Sequence, residues 1–218
     1  MKKNKIPEFK PVNKKGYFLL KILGTLLLIS LILLTGCVSV PKYTYEEYKK
    51  IKALEGKEGK ESSENSMETD NGVSDDLEVF YKDLDAYNNF ISEFTGIYSK
   101  YYNMLLPLFD NFDSEQEDFD KKTQYAKSII SIHRDWLEEI KEVSVPDIMN
   151  KYNGLFRKYL EKEILFYESI LRNDIELTEK YQIEASEIYD NIEDELQRIK
   201  NNFNSKSSEL NIEKPFAE

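Results

Sequence analysis

Ten apolar residues recur at alternating spacings of three and four: Leu77, Phe80, Leu84, Tyr87, Ile91, Phe94, Tyr98, Tyr101, Leu105 and Leu108. A strand sends alternate residues to opposite faces and cannot produce this pattern. A helix of 3.6 residues per turn gathers all of them on one side. A stripe of this length commits the segment to a long amphipathic helix whose apolar side must be covered by another element. Ser74 or Asp75 is placed to cap its start, because a side-chain oxygen there can accept an orphan backbone N–H. Pro107 is expected to end or kink it, since proline lacks an N–H and restricts the preceding Leu106.

Three further stripes follow. The second contains Phe119, Ala126, Ile129, His133, Trp136, Ile140 and Val143. Ser144-Val145-Pro146-Asp147 reads as a break and a restart, with proline near the first helical position. The third runs Ile148, Tyr152, Leu155, Tyr159, Phe166 and Ile170, and Asn173 to Glu176 resembles a capping arrangement. The fourth is Tyr181, Ala185, Ile188, Ile192, Leu196, Ile199 and Phe203. Short breaks make successive helices antiparallel neighbours. The expected fold is therefore all-α: an up-down-up-down four-helix bundle over residues 75–204, each helix about 40–48 Å long at 1.5 Å per residue. The same stripes would suit a coiled coil between chains, but three breaks let them bury one another within one chain. Residues 205–218 read as a loose C-terminal tail.

The segment before the bundle has a different character. Lys2, Lys3, Lys5, Lys10, Lys14 and Lys15 precede an apolar run that ends at Leu34, and Leu34-Thr35-Gly36-Cys37 follows with the single cysteine of the chain. Basic segment, apolar run and box arrive in the order of a secretory signal. The box resembles the lipobox of bacterial lipoprecursors cut by signal peptidase II. The resemblance covers about the first 40 residues. It implies that residues 1–36 are a signal peptide, that the chain is cut before Cys37, and that the Cys37 thiol carries a diacylglyceryl group. The protein is then held to the extracytoplasmic face of the cell membrane. In a Gram-negative cell, Val38 after the cysteine would suit outer-membrane delivery. The competing reading is an uncleaved transmembrane anchor, which also puts the remainder outside the cytoplasm.

Residues 37–74 form the tether. The stretch from Gly56 to Gly72 has almost no apolar side chain and cannot bury enough surface to offset its ordering entropy. A flexible tether of this length has a reach of about 30–35 Å. Over the whole chain 30 basic residues face 41 acidic ones, a net charge of −11. Seven lysines and one acid, Glu8, lie upstream of Cys37, so removing them leaves 23 basic and 40 acidic residues. Nucleic acid is a poor partner for such a chain, because its binding rests on neutralising phosphates. The acidic body would not lie flat on anionic lipid either.

Little in the sequence points to catalysis, and neither a metal site nor a cofactor is expected. His133 is the single histidine and lies on an inward stripe. Carboxylate-bridged metal bundles need Glu-x-x-His, and the residue three before His133 is Ile130. His133-Arg134-Asp135 matches a kinase catalytic loop only in its first three letters, since Ile140 stands where an Asn is required. The alternative reading is a cofactor- or metal-binding bundle, with haem or metal held through His133 and a methionine such as Met104 or Met149, and enzymatic or electron-transfer activity. The acidic pairs Glu138/Glu139 and Glu193/Asp194/Glu195 read as outward and solvated. One acidic cluster with aromatics lies between the first two stripes, where Asp110, Phe112, Asp113 and Glu115 are expected at the end of the bundle away from the membrane. They would contact a cationic protein or a divalent ion there, although the ligand spacing and glycine of an EF-hand are missing and acids at a helix start are favoured by the macrodipole alone. The function expected is that of a membrane-anchored binding or scaffold module without catalysis.

Overall fold

The computed structural model describes residues 71–114 and 119–216, and the side chains of 75–112 and 119–216. Cys37, the lipobox, the tether up to Asp70 and Glu115 lie outside the described residues, as does the side chain of Asp113. Four helices account for the described chain: α1 (Asn71–Ser114), α2 (Phe119–Glu142), α3 (Asn150–Leu171) and α4 (Ile175–Glu209), with a 3-10 turn at Asp147–Met149 before α3. The fold is all-α, with the four helices in the expected arrangement.

Named contacts fix the directions. Between α1 and α2, Tyr101 stacks on Trp136 while Phe109 meets His133, so the pair is antiparallel. Between α2 and α3, Trp136 meets Phe156 and His133 meets Tyr167. Between α3 and α4, Lys151 pairs with Glu195, Lys162 with Glu184, and Ser169 with Thr178. Across the diagonal α1 and α3 run parallel: Phe94 on Tyr152, Tyr98 on Phe156, Phe109 on Tyr167. The backbones of α1 and α4 approach each other far less than those of sequence neighbours. They meet through Phe80 and Tyr87, whose rings lie 5.8 and 5.6 Å from that of Phe203.

The first stripe is the core face of α1: Phe80 to Leu105 are all buried, and Leu77 and Leu108 flank them. Two details of α1 differ from expectation. Ser74 and Asp75 lie inside the helix, which is already formed at Asn71. Pro107 neither ends it nor changes its register, because the stripe continues to Phe112. Both Pro107 and Asn103, whose carbonyl the missing N–H would have met, face solvent, where water can satisfy that oxygen.

The connections between helices use local chemistry. Pro146, at φ −69° and ψ 151°, stands just before the 3-10 turn, as a residue with fixed φ and no N–H can. After α3, Asn173 takes φ 54°. Its N–H bonds to Ile170 O at 2.9 Å and that of Asp174 to Ser169 O at 3.0 Å, closing the last turn in a Schellman motif. Asp174, rather than Asn173, caps α4, its carboxylate accepting from Leu177 N at 3.1 Å.

The tail is not loose over its described part. A second Schellman motif ends α4, with Asn211 at φ 56° and Ile212 N bonded to Ser207 O at 2.9 Å. The chain then doubles back, and Phe216 is only 4 % exposed between Tyr87 and Phe203.

Candidate functional site

The far end of the bundle, away from the start of α1, carries the α1–α2 connection and the α3–α4 turn. Asp110 is exposed there on the last turns of α1. Phe112 is not an exposed contact: it is 2 % exposed, edge-on to Tyr167 at 5.7 Å, with Lys122 Nζ 5.4 Å from its ring centroid. The reason is the uninterrupted helix. Position 112 continues the three-four spacing from Leu105 and Leu108, so the ring points inward. The exposed apolar groups at this end are Leu106, Phe119 and Ile175. Phe119, expected on the core stripe of α2, is the first helical residue and is 51 % exposed.

The interior is an aromatic column. Phe94 and Phe156 touch at 4.8 Å between centroids, Phe156 meets Trp136 at 5.3 Å, and Trp136 packs against both Tyr98 and Tyr101. His133 continues the column toward Tyr167 and Phe109. It is 2 % exposed, and its Nδ1 lies 2.9 Å from Ile129 O, so the neutral ring donates from Nδ1 to that carbonyl. Burial lowers its pKa to about 4, partly offset by the same hydrogen bond. The imidazole is thus uncharged near neutrality.

The two methionines named with His133 do not gather around it. Met149 is fully buried in the 3-10 turn, while His133 packs on Tyr167, 18 residues further on and about 27 Å along α3. Met104 is 45 % exposed on α1. Among the described residues no group of three His, Cys, Asp or Glu is arranged to hold a metal ion.

Two acids on inner faces were not foreseen. Glu163 is 1 % exposed on α3, and burial pushes its carboxyl up to about 8. The sequence carries a trace of it. The third stripe skips from Tyr159 to Phe166, and the helical period demands an inward residue between them. The inner face of α3 is in fact Tyr152, Phe156, Leu160, Glu163, Tyr167 and Ile170, while Leu155 and Tyr159 sit at its edge. Glu195, read as outward, is 2 % exposed. Among the described residues, Glu163 Oε1, Trp136 Nε1, Tyr152 Oη and Asn153 Oδ1 find no hydrogen-bond partner. Each is a group that an apolar interior tolerates at a cost. His133 and Glu163 share no hydrogen bond, so they do not form an acid–base pair.

At the rim, Tyr101 donates to Glu139 Oε2 at 2.6 Å, and Lys100 pairs with the same carboxylate and lies over the Tyr101 ring. This brace ties α1 to α2 beside Trp136. Lys100 and Tyr101 together hold the Glu139 carboxyl below its usual range. No protein family, curated protein or solved structure matches the chain.

Proposed function

We propose that the bundle is a binding or scaffold module displayed outside the cytoplasm by a lipid on Cys37, meeting partners through its surface. The observation that carries this reading is the place of His133. The residue on which a cofactor or acid–base role would rest is sealed among Trp136, Tyr167 and Phe109, with its Nδ1 committed to Ile129 O. A side chain so enclosed serves packing. On this reading attachment falls to the diacylglyceryl cysteine, and among the described residues no helix is long and apolar enough to cross a membrane.

The far end is the surface that a tethered bundle presents first. Asp110 brings charge to it and Phe119 an exposed ring, while Asp113 and Glu115 add acids nearby in the chain. A cationic protein or a divalent ion suits this end, whereas Phe112 supports it from below. Two experiments test the reading. Cys37→Ala should leave an uncut precursor that takes up no labelled fatty acid; processing and labelling as in the wild type would refute the lipid anchor. Changing Asp110, Asp113 and Glu115 to Asn or Gln should lower partner recovery in a pull-down at low salt, where charge attraction is least screened. Unchanged recovery would remove the acidic end from the account.

A further inference from the structure

We propose that Asn153, Gly154 and Arg157 form a shallow recess on α3 that binds one carboxylate group, carried by a small organic acid or by the C-terminus or an acidic side chain of a peptide. The inference goes beyond the display role proposed above and holds whether or not Cys37 carries lipid.

The half-buried cations of the bundle are engaged, with one exception. Lys162 pairs with Glu184, Lys122 lies over the Phe112 ring, and Lys200 has its own interaction. Arg157 is half-buried and, among the described residues, has no hydrogen-bond or ion-pair partner. This occurs in a chain where 41 acids face 30 bases, so acids to pair with are not scarce. The Arg157 Nε is enclosed and its N–H is unmatched, which costs free energy wherever it occurs. The two Nη groups are not enclosed, and they present a planar fork of N–H donors at the surface. Asn153 stands about one turn earlier, so the two side chains are neighbours on one strip of α3. It is 7 % exposed, and its Oδ1 is the enclosed end without a partner, which leaves the amide N–H groups as the outer end.

Gly154 gives the recess its floor. A Cβ at this position would meet nothing within 4 Å, so no neighbour inside the fold requires glycine where alanine makes the more stable helix. The bare backbone beside Asn153 and Arg157 lets a ligand come close to both donors. Charge then selects the ligand. Glu168 lies about three turns beyond Arg157 on the same strip and pairs with Arg134 of α2 at 2.7 Å, while Lys141, about two turns along α2, pairs with Glu138 at 2.5 Å. The other cations of this edge are therefore already neutralised. Lys158 and Glu161 add one exposed charge of each sign. The net positive charge left is that of Arg157, which matches a carboxylate, whereas a phosphate dianion would bring a second negative charge without a counterpart. The two oxygens of a carboxylate can accept from the Arg157 fork and from Asn153 together.

The test is NMR of the full chain in a neutral detergent, following the Arg157 Nε–H and Asn153 side-chain amide signals at constant ionic strength. The probes are acetate, N-acetyl-glycylglycine with a free C-terminus, the same peptide amidated, and inorganic phosphate. Acetate and the free-acid peptide should shift both signals saturably, and the amidated peptide should not. Tighter binding of the peptide acid than of acetate assigns the recess to peptides, and equal binding assigns it to small acids. Arg157→Gln and Asn153→Ala each remove a hydrogen bond to a charged ligand and should weaken binding about tenfold. Gly154→Leu keeps both donors but fills the floor, and should weaken binding as well. Helical content and melting temperature establish that each variant is folded. Glu161→Gln removes a competing carboxylate from the strip and should strengthen binding. Shifts no larger than those given by chloride, or tighter binding of phosphate than of acetate, would overturn the proposal. So would a Glu161→Gln chain in which the Arg157 signal moves while acetate moves nothing in the wild type, since Arg157 would then be paired within its own helix.

Discussion

Glu195 and Glu163 lie on adjoining helices, are buried to the same degree, and exist in opposite states. Along the α3–α4 seam, Arg198 binds both oxygens of Glu195 at 2.5 and 3.0 Å, and Lys151 Nζ donates to Oε2 at 2.7 Å. Arg198 first, then Lys151, holds that carboxyl below its usual range. On the inner face of α3, Glu163 sits on the aromatic side of the bundle, and burial alone raises it to about 8. Depth does not decide the charge of a buried acid. Access does: Lys151 and Arg198 keep more than half of their side chains in water while reaching inward along the seam. No such cation pairs with Glu163 Oε1 among the described residues.

The largest effect should come from breaking the aromatic region itself. Phe94 is fully buried against Tyr152 and Phe156, so Phe94→Ala should cost about 3–5 kcal/mol in urea unfolding. The seam comes next. Glu195→Ala removes three charge-assisted hydrogen bonds but leaves two cations that water can solvate, and should cost about 1.5–3 kcal/mol. A cost near that of Phe94→Ala would mean the seam carries as much stability as the core. Glu163→Met should have the opposite sign, a gain of about 1–2 kcal/mol at pH 7, because an unsatisfied polar group is replaced by an apolar one of similar size. A loss there would show that Glu163 has a partner in solution. Glu138→Ala, at an outward position whose side chain is 71 % exposed, should change stability by less than about 0.5 kcal/mol.

The two carboxyls also differ in the pH at which they act. Glu163 is raised from 4.5 to about 8 on folding. Between those values the unfolded chain has released the proton and the folded chain keeps it, so stability falls as pH rises, by up to about 1.4 kcal/mol per unit. Glu195 is depressed; its contribution is present above the ordinary carboxylate value and is lost as pH falls through the folded one. His133 is lowered from 6.5 to about 4, so it opposes folding as pH falls from 6.5. From pH 4.5 to 6.5 the Glu163 and His133 slopes cancel, and above 6.5 only that of Glu163 remains. Urea midpoints of the wild type should therefore decline from pH 6.5 to 8, and those of Glu163→Gln should not.

The legible parts of the fold were those with many repeats of one signal. Ten residues at helical spacing left no choice of face for α1, and the break at Ser144 to Asp147 carried proline where a restart needs it. On α3 Tyr152, Phe166 and Ile170 are buried as the stripe expects, while Leu155 and Tyr159 are one position off, because Leu155/Phe156 and Tyr159/Leu160 offer apolar residues at two adjacent registers and only packing selects between them. Glu163 and Glu195 share one reason for being missed: a carboxylate reads as outward unless its burial is known, and although Arg198 stands only three residues from Glu195, the packing that buries both acids and the Lys151 partner come from elsewhere in the chain. Phe112 reads as a surface residue only if Pro107 ends or kinks the helix; α1 runs through Pro107, and Phe112 stays on the buried face. The Phe216 slot is formed by residues more than a hundred positions apart, Tyr87 and Phe203, which no periodicity connects.

The place of His133 bears most directly on what the bundle does. The full-length protein, purified from its own cells without added cofactor, should show no absorption band in the visible and no stoichiometric transition metal. His133→Phe should keep its fold and its partners. A haem Soret band or bound metal that disappears in His133→Phe would contradict the account and make the interior, not the surface, the working part of the molecule.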